Sequence, residues 1–222
     1  MNVREGEFHG ADFEAAVHAA LRAVGRRGGV IETDKGTMRV ELFGKEAPLT
    51  VGNFVELAQK GFYDELNFYG RRDGDVVVGG CPITRPLRPQ QVRMAVREQL
   101  RGIHPGMGDA GYVIADEWVG NPRNHHGEGA VSLAHKKSAD SGSCQFFFSL
   151  ADHPEYDDQF TVFGQVIEGL EVMHRLRIGD LIERVRIEGA HELPSDQEAA
   201  DDETARKATE AVDELLGRKP VI

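Results

Sequence analysis

Residues 132–150 carry the side chains best suited to hold a peptide, in the segment SLAHKKSADSGSCQFFFSL. Side chains alternate between the two faces of a strand, so Gln145 and Phe147 are expected on one face. That face presents an amide, which donates and accepts hydrogen bonds, beside an aromatic ring. Such a pair is typical of a surface that binds an extended peptide. The alternative is that Phe146, Phe147 and Phe148 simply fill the core.

Other catalytic arrangements find no support, because the sequence holds no GxSxG, P-loop or HExxH motif. Five histidines fall in the middle of the chain, at His104, His125, His126, His135 and His153. No cysteine or paired carboxylate accompanies them at a metal-site spacing, so we interpret them as structural or surface residues. Cys144 lies in an apolar segment without a nearby base and is interpreted as a small buried residue. We expect neither a metal nor a cofactor.

Composition limits the partners of the chain. A net charge of -11 over 222 residues argues against nucleic acid and against anionic membrane surfaces. The two cysteines are too few for a disulfide framework, which fits a reducing compartment. The first ten residues hold no apolar run typical of a secretory signal, and no window approaches the roughly 18 apolar residues of a membrane span. The sequence therefore predicts a cytoplasmic protein.

The elements that must position Gln145 and Phe147 are mostly short strands. Alternating apolar and charged residues in GVIETDKGTMRVELF predict a hairpin that turns at residues 33–36, and Thr50 is predicted to cap a helix ending at Gly61. A long loop is predicted from Cys81 to about Gly129. Further strands are predicted at 76–78, 130–134, 145–150, 160–166 and 181–187, with a helix at 169–176. Many short strands and few helices indicate a closed barrel, since closure removes exposed edges.

The two ends of the chain differ from its middle. Residues 11–27 show the apolar stripe of an amphipathic helix. Residues 192–222 carry nine acidic and four basic side chains, a net charge of about -5, with a thin apolar stripe on a predicted helix. We predict an N-terminal extension at 1–28, a barrel domain at 29–192 and an acidic tail at 193–222. Pairing of the terminal helices would make a homodimer.

The order of motifs resembles that of a cyclophilin-type peptidyl-prolyl cis-trans isomerase. The similar segments include ETDKGTMRVELFGKEAPLTVGNFVELAQKGFYDELNFY, VVVGGCP, GYVIADEW, SLAHKKSADSGSCQFFFSL and FTVFGQVIEGLEVMHRL. They keep their order from about Gly29 to Glu192. The resemblance implies an eight-stranded antiparallel barrel with a helix over each end, and a shallow groove for proline-containing peptides or unfolded segments.

The resemblance also implies which residues bind the substrate. Phe147 matches the phenylalanine of the proline pocket, and Val76 matches its apolar wall. Ala134 lines the peptide track, and His135 supplies the neighbouring backbone position. Gln145 and Phe160 match positions beside the groove. Tyr156 is also expected there, although it stands at the position of a family leucine.

Four groove positions depart from the family pattern. The family reads phenylalanine-histidine-arginine where this chain has Phe68-Tyr69-Gly70, so glycine stands at the position of the catalytic arginine. The other changes place Asp75 at a pocket phenylalanine, Val78 at a glutamine, and Glu155 at a tryptophan.

A neighbouring arginine is a candidate for the missing donor. Arg72 lies two residues beyond Gly70 and is expected on the same strand face, whereas Arg71 is expected on the other face. A bulge at Gly70 would bring Arg71 round instead. The alternative is that both arginines are solvated or paired with Asp73 and Asp75. The sequence thus predicts an isomerase acting weakly on X-Pro bonds, with Arg72 as the substitute donor. The other hypothesis is a non-catalytic module that binds peptides or proteins through the same fold.

Overall fold

The computed structural model describes residues 28–98, 100–136 and 138–188. Over these residues the chain forms nine strands and three α-helices. The strands are β1 Gly28–Thr33, β2 Gly36–Leu42, β3 Leu66–Asn67, β4 Gly70–Arg72, β5 Val76–Gly79, β6 Ala130–Leu133, β7 Phe146–Ser149, β8 Val162–Glu168 and β9 Leu181–Glu188. The helices are α1 Pro48–Gln59, α2 Pro89–Val96 and α3 Leu170–Arg175, with 3-10 turns at Pro82–Thr84 and Pro154–Tyr156.

The strands form one curled antiparallel sheet in the order β3-β9-β1-β2-β8-β6-β7-β5-β4. Its two edge strands, β3 and β4, are consecutive in the chain. Between them, the Phe68 N–H donates to Asp180 O at 2.9 Å, beside β9, and the Tyr69 N–H donates to Val78 O at 3.0 Å, on β5. Residues 66–72 therefore act as one bent strand that joins both edges. The predicted eight-stranded antiparallel barrel is confirmed, with β3 and β4 as two halves of a single strand.

Alternation along the strands decides which phenylalanines enter the barrel. Phe146 and Phe148 are at most 1% exposed and belong to the core that α1 covers through Phe54. The Phe54 and Phe146 rings meet edge to face at 5.8 Å, which is a favourable aromatic geometry. Phe147 lies between them in sequence and so faces outward. The core interpretation is therefore correct for two of the three rings.

Helix α1 begins at Pro48, three residues earlier than the start at Val51 that the sequence predicts. Pro48 occupies its first turn, where a missing N–H does no harm. Thr50 is thus not the cap. Instead the Glu117 carboxylate accepts hydrogen bonds from the N–H groups of Leu49 (3.0 Å) and Thr50 (2.8 Å), and from the Thr50 hydroxyl (2.8 Å). A residue far along the chain satisfies the helix N-terminus, whereas the predicted end near Gly61 is confirmed by its left-handed φ of 68°.

Helix α2 lies within the segment predicted to be a long loop, so that prediction is wrong there. Pro89 suits the first helical turn, and the Arg88 N–H is satisfied by the Gln91 side chain at 2.9 Å. Val92 and Ala95 are buried one turn apart, so one face of the helix packs inward. The prolines and arginines around this short apolar pair concealed it in the sequence.

The predicted helix at 11–27 and the acidic tail from 193 onward lie outside the described residues. The same holds for the homodimer that these segments were predicted to make. Within the described ranges, none of the helices combines the length and apolar character that a bilayer crossing requires.

Candidate functional site

Three neighbouring strands, β4, β5 and β7, build an outward face at one side of the barrel. Gly70 on β4 pairs with Val78 on β5, which pairs with Phe147 on β7. The next row on the same face places Arg72 opposite Val76. Residues directly opposite each other share a sheet face, so these five positions lie together. The prediction that Arg72 shares the face of Gly70 is confirmed by this register.

An aromatic cluster covers Phe147 on this face. The ring of His126 stacks nearly parallel to Phe147 at 5.8 Å between centroids, with 14° between the planes. Phe160 and Tyr156 approach the same ring edge-on, at 5.3 and 6.2 Å. Phe147 keeps only 5% of its surface exposed. A prolyl ring would reach this floor fully only when a neighbouring aromatic side chain moves.

His126, one of the histidines that the sequence analysis interpreted as structural or surface residues, is a member of this cluster that was not assigned to the groove. Its side chain is fully buried, and Nδ1 lies 2.9 Å from Asp157 Oδ1, which also accepts the His126 backbone N–H at 2.8 Å. This geometry assigns the Nδ1–H donor tautomer. Nε2 is buried and has no hydrogen-bond partner within the described part of the chain. Burial lowers the pKa of His126, although Asp157 opposes the shift. The neutral ring therefore acts as an aromatic wall.

The protonation of His126 predicts a pH effect on stability. The pKa of His126 in the folded protein lies below the usual 6.5. Its contribution to the free energy of unfolding is therefore complete above pH 6.5 and is lost as the pH falls through the lowered folded pKa. We expect the difference in unfolding free energy between the wild type and His126→Asn to shrink from pH 7.5 to pH 5. Urea unfolding of both proteins over this range measures it. The other titrating groups are present in both proteins, so their contributions cancel in this difference. A difference that stays constant with pH would contradict the lowered pKa of His126.

Arg72 is held at the rim of the aromatic cluster. Its Nε lies 2.6 Å from Asp75 Oδ2, and Nη2 donates to the Tyr156 hydroxyl at 3.2 Å. The Tyr156 hydroxyl in turn donates to Asp75 Oδ1 at 2.9 Å. The ion pair with Asp75 is the arrangement that the alternative interpretation predicted. It also ties the guanidinium to the ring that borders Phe147, while 71% of the Arg72 side chain remains exposed.

Gln145 lies at the other end of the same face, beside a cavity of about 830 Å³. Its carbonyl accepts a hydrogen bond from the Tyr69 hydroxyl, and Nε2 donates to Gly106 O at 3.0 Å and Gly108 O at 2.6 Å. Burial raises the pKa of Tyr69, so the hydroxyl remains a donor. The amide therefore fixes the loop that borders the cavity. Its predicted contact with substrate stays a prediction.

The cavity and the aromatic cluster are continuous. Ala134 and His135 line the cavity together with Gln145, as the sequence predicted for one groove. The His135 ring stacks on Phe160 at 4.5 Å, and Phe160 contacts Phe147. The structure thus brings all the predicted groove residues onto one surface, with a wide cavity at one end and a nearly filled aromatic pocket at the other.

Comparison with known proteins agrees with this architecture. Residues 30–192 match the family model described as cyclophilin type peptidyl-prolyl cis-trans isomerase/CLD. The chain belongs to the cyclophilin family. This cyclophilin is 40% identical over 157 residues to a peptidyl-prolyl cis-trans isomerase of Helicobacter pylori, covering 70% of this chain and 83% of that protein. It is 38% identical over 156 residues to peptidyl-prolyl cis-trans isomerase B of Bacillus subtilis, covering 70% and 94%.

A solved structure supports the fold of this cyclophilin. The cyclophilin type peptidyl-prolyl cis-trans isomerase of Cryptosporidium parvum, crystallised in the presence of the dipeptide Ala-Pro, superposes with a TM-score of 0.58 at 22% identity. The match covers 73% of this chain and 99% of that one. The family is a family of enzymes, so this cyclophilin is assigned to the peptidyl-prolyl isomerases. It has Gly70 at the position where the family resemblance implies an arginine.

Proposed function

We propose that the protein isomerises X-Pro bonds of peptides or folding proteins, and does so weakly. The observation that carries this proposal is the position of Arg72, whose guanidinium is anchored by Asp75 at the rim of the Phe147 cluster. Gly70 supplies no donor of its own. The Ala-Pro dipeptide present with the Cryptosporidium protein supports the substrate class.

The reaction makes and breaks no covalent bond. It needs an oriented peptide and one hydrogen bond to the prolyl nitrogen. Rotation about a peptide bond meets a barrier of roughly 18–20 kcal/mol because the C–N bond has double-bond character. Uncatalysed X-Pro isomerisation therefore takes tens to hundreds of seconds. In the twisted state the prolyl nitrogen regains its lone pair and becomes an acceptor. A guanidinium that donates to it stabilises the transition state more than either ground state.

Arg72 meets this requirement only in part. Its backbone lies some 6–7 Å along the strand from Gly70, since each residue advances about 3.3 Å. Its guanidinium must also exchange the Asp75 carboxylate for the peptide. Loss of one charge-assisted hydrogen bond costs about 1.5–3 kcal/mol. Compared with a groove that carries the family arginine at residue 70, turnover would be slower by roughly 10- to 150-fold. This is the physical basis for weak activity.

The remaining groove residues have binding roles in the proposal. Phe147 forms the apolar floor, with Val76, Phe160 and Tyr156 around it. The peptide backbone runs past Ala134, His135 and Gln145 toward the cavity. This scheme needs no metal or cofactor. The domain limits, the cytoplasmic location and the homodimer through the terminal helices remain predictions.

A second candidate is a peptide- or protein-binding module without catalysis. The acidic rim favours it, because Asp75, Glu155 and Asp157 surround the aromatic cluster on a face without an arginine at residue 70. The small exposure of Phe147 also favours partners that need no deep prolyl pocket. Such a partner would bind Phe147 and its neighbours without any change in the exchange rate of its X-Pro bonds.

Replacement of Arg72 tests the proposed donor. We expect Arg72→Ala to lower kcat/KM on a short X-Pro peptide by about 10-fold, the lower limit for a charge-assisted hydrogen bond because this side chain is largely exposed. Two-dimensional NMR exchange on the peptide measures the rate. Arg184→Ala is the matched control, since Arg184 is an exposed strand arginine on β9. Equal rates for all three proteins would remove Arg72 from the mechanism.

A further inference from the structure

A second cavity lies on the other side of β4, between α2 and the loop that precedes β9. It has a volume of about 310 Å³, and its charged lining consists of Arg71, Arg93, Arg97, Arg177 and Asp73. Four positive charges against one negative give this cavity a local charge of +3, within a chain whose net charge is -11. Such a concentration of one sign creates a local field that attracts anions.

Arg71 contributes a buried donor without an acceptor. Its Nε lies 2.7 Å from Asp73 Oδ1, and only 11% of its side chain is exposed. Nη1 is buried, and nothing in the described ranges accepts its hydrogen bonds. A buried charged donor left unpaired is unfavourable, by more than a neutral one. An anion bound in the cavity would satisfy it.

The other three guanidinium groups carry charges that no described carboxylate neutralises. Arg93 Nη1 donates to Ile178 O at 3.3 Å, and Arg177 Nη1 donates to Leu176 O at 2.9 Å. These acceptors are backbone carbonyls. The Arg97 backbone N–H, at the end of α2, donates to Ala95 O, whereas the Arg97 guanidinium has no hydrogen-bond acceptor in the part of the chain that the structure describes. Each group thus retains N–H donors for a ligand.

We propose that this cavity binds a small anion bearing a diphosphate group. Guanidinium groups present planar forks of donors that match phosphate oxygens in pairs. A volume of 310 Å³ lies at the lower end of the roughly 300–1,000 Å³ usual for small-molecule sites. Arg71 pairs with the buried Val77, so it faces away from Gly70 and Arg72. The site is therefore separate from the peptide groove and independent of its activity.

Titration of the full chain with sodium pyrophosphate and with sodium phosphate, followed by calorimetry at low ionic strength, tests the proposal. We expect one saturable site that binds pyrophosphate about tenfold or more tightly than phosphate, because it engages more of the uncommitted donors. Arg93→Gln and Arg97→Gln should each weaken pyrophosphate binding by about tenfold. Arg184→Gln, on the exposed face of β9, should leave it unchanged. Binding should also weaken as sodium chloride is added.

Three results would overturn the proposal. The first is the absence of saturable pyrophosphate binding to the wild type. The second is equal weakening by Arg93→Gln and by the control Arg184→Gln, which would show attraction to the whole surface instead of a site. The third, equal affinity for phosphate and pyrophosphate, would contradict a diphosphate ligand. Circular dichroism of each variant ensures that folded proteins are compared.

Discussion

The double variant Gly70→Arg/Val78→Ala is expected to isomerise X-Pro peptides about 10- to 150-fold faster than the wild type. The gain corresponds to one charge-assisted hydrogen bond placed on the strand position from which the family arginine acts. Val78 must change too, because a Cβ added at Gly70 would lie 3.0 Å from Val78 Cγ2 and 3.1 Å from Val78 Cβ. Truncation to alanine removes the nearer of these atoms.

The matched control for this variant is Gly70→Ala/Val78→Ala, which adds the Cβ without the guanidinium. We expect it to remain close to the wild-type rate, so that any acceleration is assigned to the new donor. If the folded arginine variant is no faster than this control, the rest of the groove is not competent. The non-catalytic binding module would then be the better account.

Phe147→Ala is expected to lower both stability and activity. The side chain is 95% buried in the aromatic cluster, and loss of a buried phenylalanine reduces the free energy of unfolding by about 3–5 kcal/mol. Loss of the apolar floor should lower kcat/KM by roughly 10- to 150-fold, since a buried apolar contact contributes about 1.5–3 kcal/mol. Urea unfolding and NMR exchange measure the two effects at a temperature where the variant is folded.

A pair of leucine variants separates the groove from general destabilisation. Phe147→Leu and Phe148→Leu make the same change at adjacent positions on opposite faces of β7, the first in the groove and the second in the barrel core. We expect only Phe147→Leu to reduce kcat/KM per folded molecule. A reduction of equal size in Phe148→Leu would remove Phe147 from substrate binding.

Local alternation made much of the candidate site predictable. The two-residue period of a strand placed Gly70 and Arg72 on one face and Arg71 on the other, and the register with β5 agrees. The same period separated Phe147 from the core rings beside it. The family resemblance predicted the barrel. Its closure depends on backbone hydrogen bonds between Phe68 and residues 179 and 180, which no local sequence pattern indicates.

Contacts between distant segments were not predictable from the sequence. His126 and Asp157 are 31 residues apart and meet only in the folded chain, so the histidine that stacks on Phe147 had no sequence signal. Glu117 accepts hydrogen bonds from the start of α1 across 67 and 68 residues, which displaced the predicted cap. The role of Gln145 in the groove stays a prediction, and its hydrogen bond from the Tyr69 hydroxyl depends on the same kind of long-range approach.

We propose that this face isomerises X-Pro bonds although Gly70 stands at the position of the family arginine. Two-dimensional NMR exchange on a short X-Pro peptide, with and without the wild-type protein, tests it most directly. We expect exchange cross-peaks that grow with protein concentration, and that are weaker with Phe147→Leu than with the folded control Phe148→Leu. Exchange no faster than in buffer, with the wild-type protein approaching the peptide concentration, would contradict it.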